Sequence, residues 1–182
     1  AKPAQFLPYR LNTEQYTSQL WLYEGFTSYY DDLALVRCGL LTQEQYFAAL
    51  EKTINRVQLS PSEHVQSVAE SSFNAWTKYY KQDENAVNAV VSYYTKGSLI
   101  ALCLDALLRS KGKTLDALMQ LAWRSYGEPA LGSSEQQFIQ LCSDYAGKDT
   151  ATQLYSWVHG TSALPLAELL PLLGVSTVKR QQ

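Results

Sequence analysis

The segment from Ser92 to Ser110 constrains the fold more than any other part of the sequence. After Gly97 it is almost wholly apolar, and its large side chains spread around the whole circumference of a helix: Leu99, Ile100, Leu102, Leu104, Leu107 and Leu108. A helix that is apolar on most of its surface must be covered by other elements, as at the centre of a helical bundle. We therefore expect this helix to be among the most buried elements of the protein.

The remaining sequence predicts further helices around this centre and no strand of note. Residues typical of helix N-caps stand before the apolar periodic segments: Thr13, Thr42 with Gln45 three residues later, Thr114, and Ser133 or Ser134. Gly39 and Gly147 are typical of helix ends. The sequence thus predicts an all-α fold, a helical bundle or array forming a single domain over residues 1–182. Residues 1–12 are expected to be an extended segment, and residues 176–182 a frayed tail.

Length and charge limit the classes of function. The 182 residues are 46% hydrophobic, which is enough for one full core and too little for two. The net charge of −2 gives no electrostatic support for a nucleic-acid partner or an anionic membrane surface. No apolar run reaches the roughly 18 residues that span a bilayer. A signal-peptide pattern is missing at the start, but truncation would have removed it, so cytoplasmic is only a default location.

The cysteines and histidines do not form a recognisable metal site. Cys38, Cys103 and Cys142 are odd in number and stand in apolar helical stretches, so they are expected to be core thiols and not disulfides or metal ligands. The only histidines are His64 and His159, and neither has another histidine four residues away. Both are interpreted as structural or surface groups.

The segment from Trp21 to Asp32 places a carboxylate within an aromatic helix. At 3.6 residues per turn, Glu24, Ser28 and Asp31 share one face, and the apolar side chains share the opposite face: Leu22, Phe26, Tyr29, Leu33 and Val36. A carboxylate among aromatic residues carries a desolvation cost, which an Arg, a Lys or a metal cation usually offsets. The spacing alone leaves a helix salt bridge and a metal site both open.

The residues themselves resemble a known family. The pattern Trp-x-x-Glu-Gly-Phe-Thr, from Trp21 to Thr27, resembles the third-ligand helix of gluzincin metallopeptidases, and the longer run from Lys2 to Asp32 is similar to the glycyl aminopeptidase family. The resemblance implies that Glu24 completes a zinc site begun by a His-Glu-x-x-His helix. It also implies the C-terminal helical subdomain of a thermolysin-like zinc peptidase. Its substrates would be peptides with a small N-terminal residue, such as Gly or Ala.

A second pattern, Tyr-x-Lys-Gly, ends at Gly97. Ser92 suits a helix N-cap, which would place Tyr94 in the first helical turn, where the helix dipole favours developing negative charge. The pattern is similar to the gluzincin aminopeptidase segment whose tyrosine stabilises the oxyanion, and this implies a catalytic role for Tyr94, with Tyr93 as the alternative. Without the Glu24 motif, a core aromatic residue would be the better interpretation of Tyr94; the two motifs together favour the catalytic one.

Asp31 is the candidate for an outer-shell group. It stands two helical turns after Glu24 on the same face, where a carboxylate accepts the second ring N–H of a zinc-bound histidine. A solvated acidic patch on the helix is an equally good interpretation of Asp31 and Asp32.

The sequence departs from the family in one respect: it contains no His-Glu-x-x-His. By the family pattern, that motif would precede Ala1. We therefore expect this chain to be a fragment with an incomplete zinc site, inactive alone, whose partners are the N-terminal part of the same catalytic domain and a peptide substrate.

The sequence is compatible with two other functions. A magnesium-dependent isoprenoid synthase is suggested by Asp31 and Asp32, but it needs a further carboxylate where Leu35 and Val36 stand, and a basic cluster for diphosphate. A non-catalytic helical interaction module is the second alternative, because the chain cannot close a zinc site.

Overall fold

The computed structural model describes residues 3–79 and 90–178. Three turns in this part are π-helical: Trp21–Gly25, Ala75–Tyr79 and Trp123–Gly127. Three others are 3₁₀-helical: Ala4–Phe6, Pro61–His64 and Leu170–Leu173. The α-helices of the described residues are α1 (Phe26–Arg37), α2 (Gln43–Gln58), α3 (Val68–Phe73), α4 (Thr95–Ser110), α5 (Leu115–Ala122), α6 (Glu135–Ala146), α7 (Lys148–His159) and α8 (Leu166–Leu169).

The predicted all-α fold is confirmed. Within the described ranges the only β-type pairing is an isolated bridge between Pro3 and Ser133. None of the helices in that part of the chain has the length and apolar character needed to cross a bilayer.

Helix α4 lies at the centre, as its sequence predicts. Most of its side chains between Lys96 and Leu108 are buried, and it packs against the π-helical turn Trp21–Gly25, against α1 and α2, and against α7. The helix begins at Thr95, later than the sequence suggests, with Tyr94 at the N-cap position. Ser92 still contributes a capping bond, because its hydroxyl accepts the Thr95 N–H at 3.2 Å.

The other predicted caps explain where the surrounding helices begin. Thr42 and Ser134 each form a complete capping box with a glutamine three residues later. Thr114 accepts the Ala117 N–H at the start of α5. Each such cap stabilises its helix by about 1 kcal/mol. Gly147, with φ of 96°, closes α6 in a conformation that favours glycine.

Two local predictions are wrong. Thr13 caps no helix, because residues 13–19 are mostly polar and lack the apolar period that would hold a helix against the core; helical structure begins at Leu20. Cys38 is exposed and follows the last turn of α1, whereas Cys103 and Cys142 are buried core thiols as expected.

The ends of the chain contain little regular structure. Residues 3–12 are irregular apart from the single 3₁₀ turn Ala4–Phe6, and residues 176–178 are exposed without regular structure. Residues 1–2 of the predicted extended segment and 179–182 of the predicted tail lie outside the described residues.

Candidate active site

Glu24 lies in the π-helical turn Trp21–Gly25, which runs directly into α1. A π-helical turn is wider than an α-helical one and is frequent at functional sites. Two backbone carbonyls of this turn, those of Tyr23 and Glu24, accept hydrogen bonds from hydroxyl side chains of the next turn. Thr27 donates from Oγ1 to the carbonyls of Tyr23 and Glu24, both at 2.9 Å, and Ser28 donates to the Glu24 carbonyl at 2.8 Å. The Thr-Ser pair that follows Glu24-Gly25-Phe26 thus stabilises the wide turn.

Glu24 is a half-buried residue, and its carboxylate has no ion pair or hydrogen bond with any residue in 3–79 or 90–178. The helix salt bridge that its spacing allowed therefore has no partner among the described residues. Its donor chemistry suits zinc, which accepts Asp and Glu oxygens. The described part of the chain holds no group of three or more His, Cys, Asp or Glu side chains able to bind a metal, so Glu24 could act only with ligands from elsewhere.

A further open acceptor lies at the base of the same turn. The Gln19 carbonyl accepts the N–H groups of Leu22 and Tyr23, while the Gln19 side chain is 2% exposed. Its Oε1 is the one buried side-chain polar atom of the described residues with no hydrogen-bond partner. The Glu24 turn therefore presents a free carboxylate and begins beside an unused buried acceptor.

Two glycines bring the Glu24 turn into backbone contact with α4. A Cβ atom added to Gly25 would lie 2.6 Å from the Cα of Gly97, and one added to Gly97 would lie 2.9 Å from the Cα of Gly25 and 2.9 Å from the Trp21 carbonyl oxygen. Only glycines allow such an approach. Gly25 directly follows Glu24, and Gly97 lies three residues after Tyr94, so the segments that carry the two candidate residues touch.

The tyrosines before α4 differ in exposure. Tyr93 is fully buried, whereas Tyr94 is only partly so. The Tyr94 ring stacks on Tyr93 with the centroids 4.8 Å apart, and the Tyr79 ring lies 4.7 Å from Tyr93 and 6.1 Å from Tyr94. This packing fixes the Tyr94 ring. Of the two tyrosines that the sequence left as candidates, Tyr94 has the exposure that contact with a substrate requires.

Lys96 of the same motif faces the interior. It is 1% exposed, and its Nζ donates to the Glu63 carbonyl oxygen at 3.1 Å, which joins α4 to the turn Pro61–His64. Burial lowers the pKa of the Lys96 ammonium, and the Glu63 carboxylate partly opposes this shift. The lysine therefore has a structural role here.

Asp31 and Asp32 do not form a metal site with other carboxylates of the described residues. Asp31 is exposed on α1, and Asp32 is half-buried near Tyr46 and Ser28. The carboxylate arrangement of an isoprenoid synthase is thus missing from the described part of the chain. His64 is exposed, with Nδ1 3.1 Å from the Thr161 carbonyl oxygen, as expected for a surface histidine.

Sequence reasoning missed the environment of Trp21, the first residue of the π-helical turn. Trp21 is fully buried and packs edge-to-face on Phe26 and Phe138. Its indole N–H donates to the carboxylate of Glu135, which also accepts from His159. Because these residues are distant in sequence, no local pattern indicates the contact.

This chain is similar to known proteins in both sequence and structure. The model of the M61 glycyl aminopeptidase family matches residues 1–100. A crystal structure of an aminopeptidase N family protein from Idiomarina loihiensis is similar over 93% of this chain, with 43% sequence identity and a TM-score of 0.89. This chain spans only 30% of the length of that one. Among curated proteins, none matches the sequence.

The family match covers more than half of the 182 residues and includes both the Glu24 turn and the Tyr94 segment. The structural similarity extends over the helices beyond residue 100. On these grounds the chain belongs to the M61 glycyl aminopeptidase family.

Proposed function

We propose that this chain is the helical part of a zinc-dependent aminopeptidase that removes small N-terminal residues, such as Gly or Ala, from peptides. Glu24 serves as a protein ligand of the zinc, and Tyr94 stabilises the oxyanion. The remaining protein ligands are histidines of a His-Glu-x-x-His helix outside these 182 residues. The full-length enzyme is the protein that contains both this helix and the present chain. The chain alone is inactive, because it supplies one ligand where a catalytic zinc needs three.

One observation carries the proposal. Glu24 is half-buried, and its carboxylate has no partner among the described residues; it lies on a turn whose backbone touches the segment of Tyr94 through Gly25 and Gly97. A bound cation would give this carboxylate the partner that it lacks among the described residues. A zinc ligand and an oxyanion donor must also reach the same substrate carbonyl, and contact between their segments supports this.

The residues of this chain would act as follows. Zinc, when bound, supplies Lewis-acid chemistry that activates water near neutral pH and polarises the scissile carbonyl. Glu24 would bind the metal through its carboxylate. The Tyr94 hydroxyl donates a hydrogen bond to the carbonyl oxygen as negative charge develops there, and the nearby start of α4 favours that charge through its dipole. Stacking on Tyr93 orients the Tyr94 ring in advance.

Asp31 is proposed as an outer carboxylate. It is exposed and makes no hydrogen bond or ion pair within residues 3–79 and 90–178, so its oxygens are available to a ring N–H of a zinc-bound histidine. Loss of such a partner weakens metal affinity by about 10-fold to 100-fold. We expect Asp31→Asn to weaken zinc binding within that range, measured by chelator competition.

Substitutions in the full-length enzyme separate the two central roles. Glu24→Gln should lose most of its zinc during dialysis, as measured by elemental analysis of the protein. Tyr94→Phe should retain zinc and lower kcat by about 100-fold or more, as for the loss of one oxyanion donor. Turnover of Gly and Ala 4-nitroanilides should exceed that of the Leu 4-nitroanilide.

Two variants serve as matched controls. Glu51→Gln alters an exposed carboxylate of α2, and Tyr126→Phe alters a tyrosine of the turn Trp123–Gly127. Both should keep zinc and turnover. Normal zinc content in Glu24→Gln would contradict the metal role, and normal turnover in Tyr94→Phe would contradict the oxyanion role. Equal turnover of the Gly and Leu substrates would contradict the preference for small residues.

A further inference from the structure

The carboxylate of Glu135 joins three separate parts of the chain. Its Oε2 accepts the Trp21 indole N–H at 3.1 Å and the Ser18 hydroxyl at 3.3 Å. Its Oε1 lies 2.7 Å from Nε2 of His159 at the end of α7. Both oxygens are therefore engaged, and the Glu135 side chain is only 15% exposed.

The position of Glu135 in the fold stabilises its negative charge and its orientation. Glu135 is the first residue of α6, directly after the capping residue Ser134, and the positive end of the helix dipole stabilises an anion there. The ring of His159 is stacked on Tyr155 with the centroids 4.3 Å apart, which holds the imidazole in place. Glu135 is thus a fixed acceptor, oriented from two helices.

The residues that this acceptor region holds lie just before Glu24 in the sequence. Trp21 is three residues before Glu24, and its backbone N–H also donates to the Ser72 hydroxyl at 3.1 Å. Tyr23 directly precedes Glu24, and its hydroxyl lies 3.1 Å from Oγ of Ser133, two residues before Glu135. The segment 133–135 therefore contacts the π-helical turn at two side chains, one residue and three residues before the proposed zinc ligand.

We propose that Glu135 is a positioning residue for Glu24: by binding the Trp21 indole it sets the orientation of the turn that presents the zinc ligand. This inference rests on the proposed function of Glu24. Glu135 does not touch the substrate or the metal; it acts through Trp21, a rigid and fully buried side chain. A small displacement of a ligand-bearing turn is enough to lower metal affinity and turnover substantially.

A merely structural role would make a different prediction. If Glu135 only stabilised the fold, its loss would lower Tm without a specific effect on zinc. Asp116 offers a matched control, because its carboxylate also accepts from several donors, namely Tyr30 at 2.9 Å and both terminal guanidinium nitrogens of Arg37 at 3.2 and 2.8 Å. Asp116→Ala removes a comparable set of bonds, between α5 and α1 and away from the π-helical turn.

The experiment uses the full-length enzyme, with release of zinc to a chromogenic chelator as the readout, and Tm and kcat measured in parallel. Glu135→Ala should release zinc about tenfold faster, with a lower kcat and little change in KM. Glu135→Gln should restore most of the retention, because its amide oxygen still accepts the indole N–H. Asp116→Ala should lower Tm while leaving zinc release unchanged.

The outcomes separate this inference from the proposed function. If Glu24→Gln loses zinc but Glu135→Ala releases it at the wild-type rate, Glu135 is not a positioning residue and the role of Glu24 survives. If Glu24→Gln retains zinc, the proposed function itself fails. Should Glu135→Ala not fold, Trp21→Phe removes the same indole hydrogen bond while keeping a buried ring. Wild-type zinc release in that variant would also overturn the inference.

Discussion

The three cysteines have different chemical surroundings, although the sequence places each in an apolar stretch. Cys38 is exposed after α1. Burial raises the pKa of the Cys103 thiol to about 12 and that of Cys142 to about 11, with Lys111 opposing the second shift. Because the thiolate is the reactive form, we expect DTNB at pH 8 to label one thiol per folded chain and all three after unfolding.

Cys38→Ser is the control for this labelling. The folded variant should show no rapidly reacting thiol, while its unfolded form should show two. Rapid labelling of more than one cysteine in the folded wild-type chain would contradict the burial of Cys103 and Cys142.

Tyr29 makes the stability of the folded protein depend on pH in the alkaline range. Its hydroxyl donates to Oδ2 of Asp105 at 2.9 Å, and that carboxylate also accepts from Arg109 and from the Leu115 N–H. Burial, and next the charge of Asp105, raise the pKa of Tyr29 far above its usual value. The folded state therefore keeps a proton that the unfolded state loses above about pH 10. The contribution of Tyr29 to stability is complete below that pH and is lost as the pH rises further.

We therefore expect Tyr29→Phe to flatten the alkaline loss of stability. Urea unfolding between pH 8 and 11.5 should show the wild-type free energy of unfolding falling more steeply above pH 10 than that of the variant, by up to about 1.4 kcal/mol per pH unit. At pH 8 the variant should be less stable by about 1 to 3 kcal/mol, for the lost hydrogen bond to a charged group. Tyr155→Phe, at an exposed position, should follow the wild-type profile; equal slopes for wild type and Tyr29→Phe would refute the assignment.

At the scale of elements, the crossing of the π-helical turn over α4 is controlled by two glycines. Gly97→Ala would place a methyl group 2.9 Å from the Cα of Gly25, so the two elements must separate. Overpacking of this kind costs about 1 to 3 kcal/mol. Because the separation would move Glu24 relative to Tyr94, we expect kcat/KM of the full-length enzyme to fall by about tenfold or more.

Ala106→Val is the control for this prediction. It overpacks the same helix at another fully buried position, more than two turns beyond Gly97. Urea unfolding should show a similar loss of stability for both variants, whereas zinc content and kcat/KM should fall only for Gly97→Ala. A Gly97→Ala enzyme with wild-type turnover would show that the glycine contact does not set the site geometry.

Sequence patterns predict those helices that are determined by residues within or next to them. Side-chain caps at Thr42, Thr114 and Ser134 lie next to the helices they start, and the apolar circumference of α4 is visible without any partner. The π-helical turn was not predicted, because its stabilising bonds come from tertiary contacts as well as from the following hydroxyls. Thr13 was wrong because a capping side chain has no effect where no apolar period follows. Gly25 and Gly97 did carry a usable pattern, since glycine within a helix often marks a close backbone approach.

At the scale of the whole molecule, only part of the site could be predicted. Glu24 and Tyr94 are identified through family motifs and Asp31 through its helical spacing from Glu24, and all three remain proposals. The Glu135 carboxylate and His159 were not identified, because α6 and α7 meet the Glu24 turn only after the chain has folded. Periodicity describes which face of a helix is buried and does not describe which distant residue lies opposite it.

The metal-binding side chains of this chain are too few to complete a catalytic zinc site among the described residues. The 182 residues contain two histidines, one near the Thr161 carbonyl and the other bound to Glu135, and the described part holds no cluster of three metal-binding side chains. A catalytic zinc needs three protein ligands, so equilibrium dialysis of this chain should show weak zinc binding, well below one ion per chain at micromolar zinc. The full-length enzyme, as the positive control, should bind one zinc and lose it upon Glu24→Gln. Tight one-to-one binding by the 182-residue chain that disappears in Glu24→Gln would mean that the chain completes a zinc site unaided, and the proposed division of ligands would be wrong.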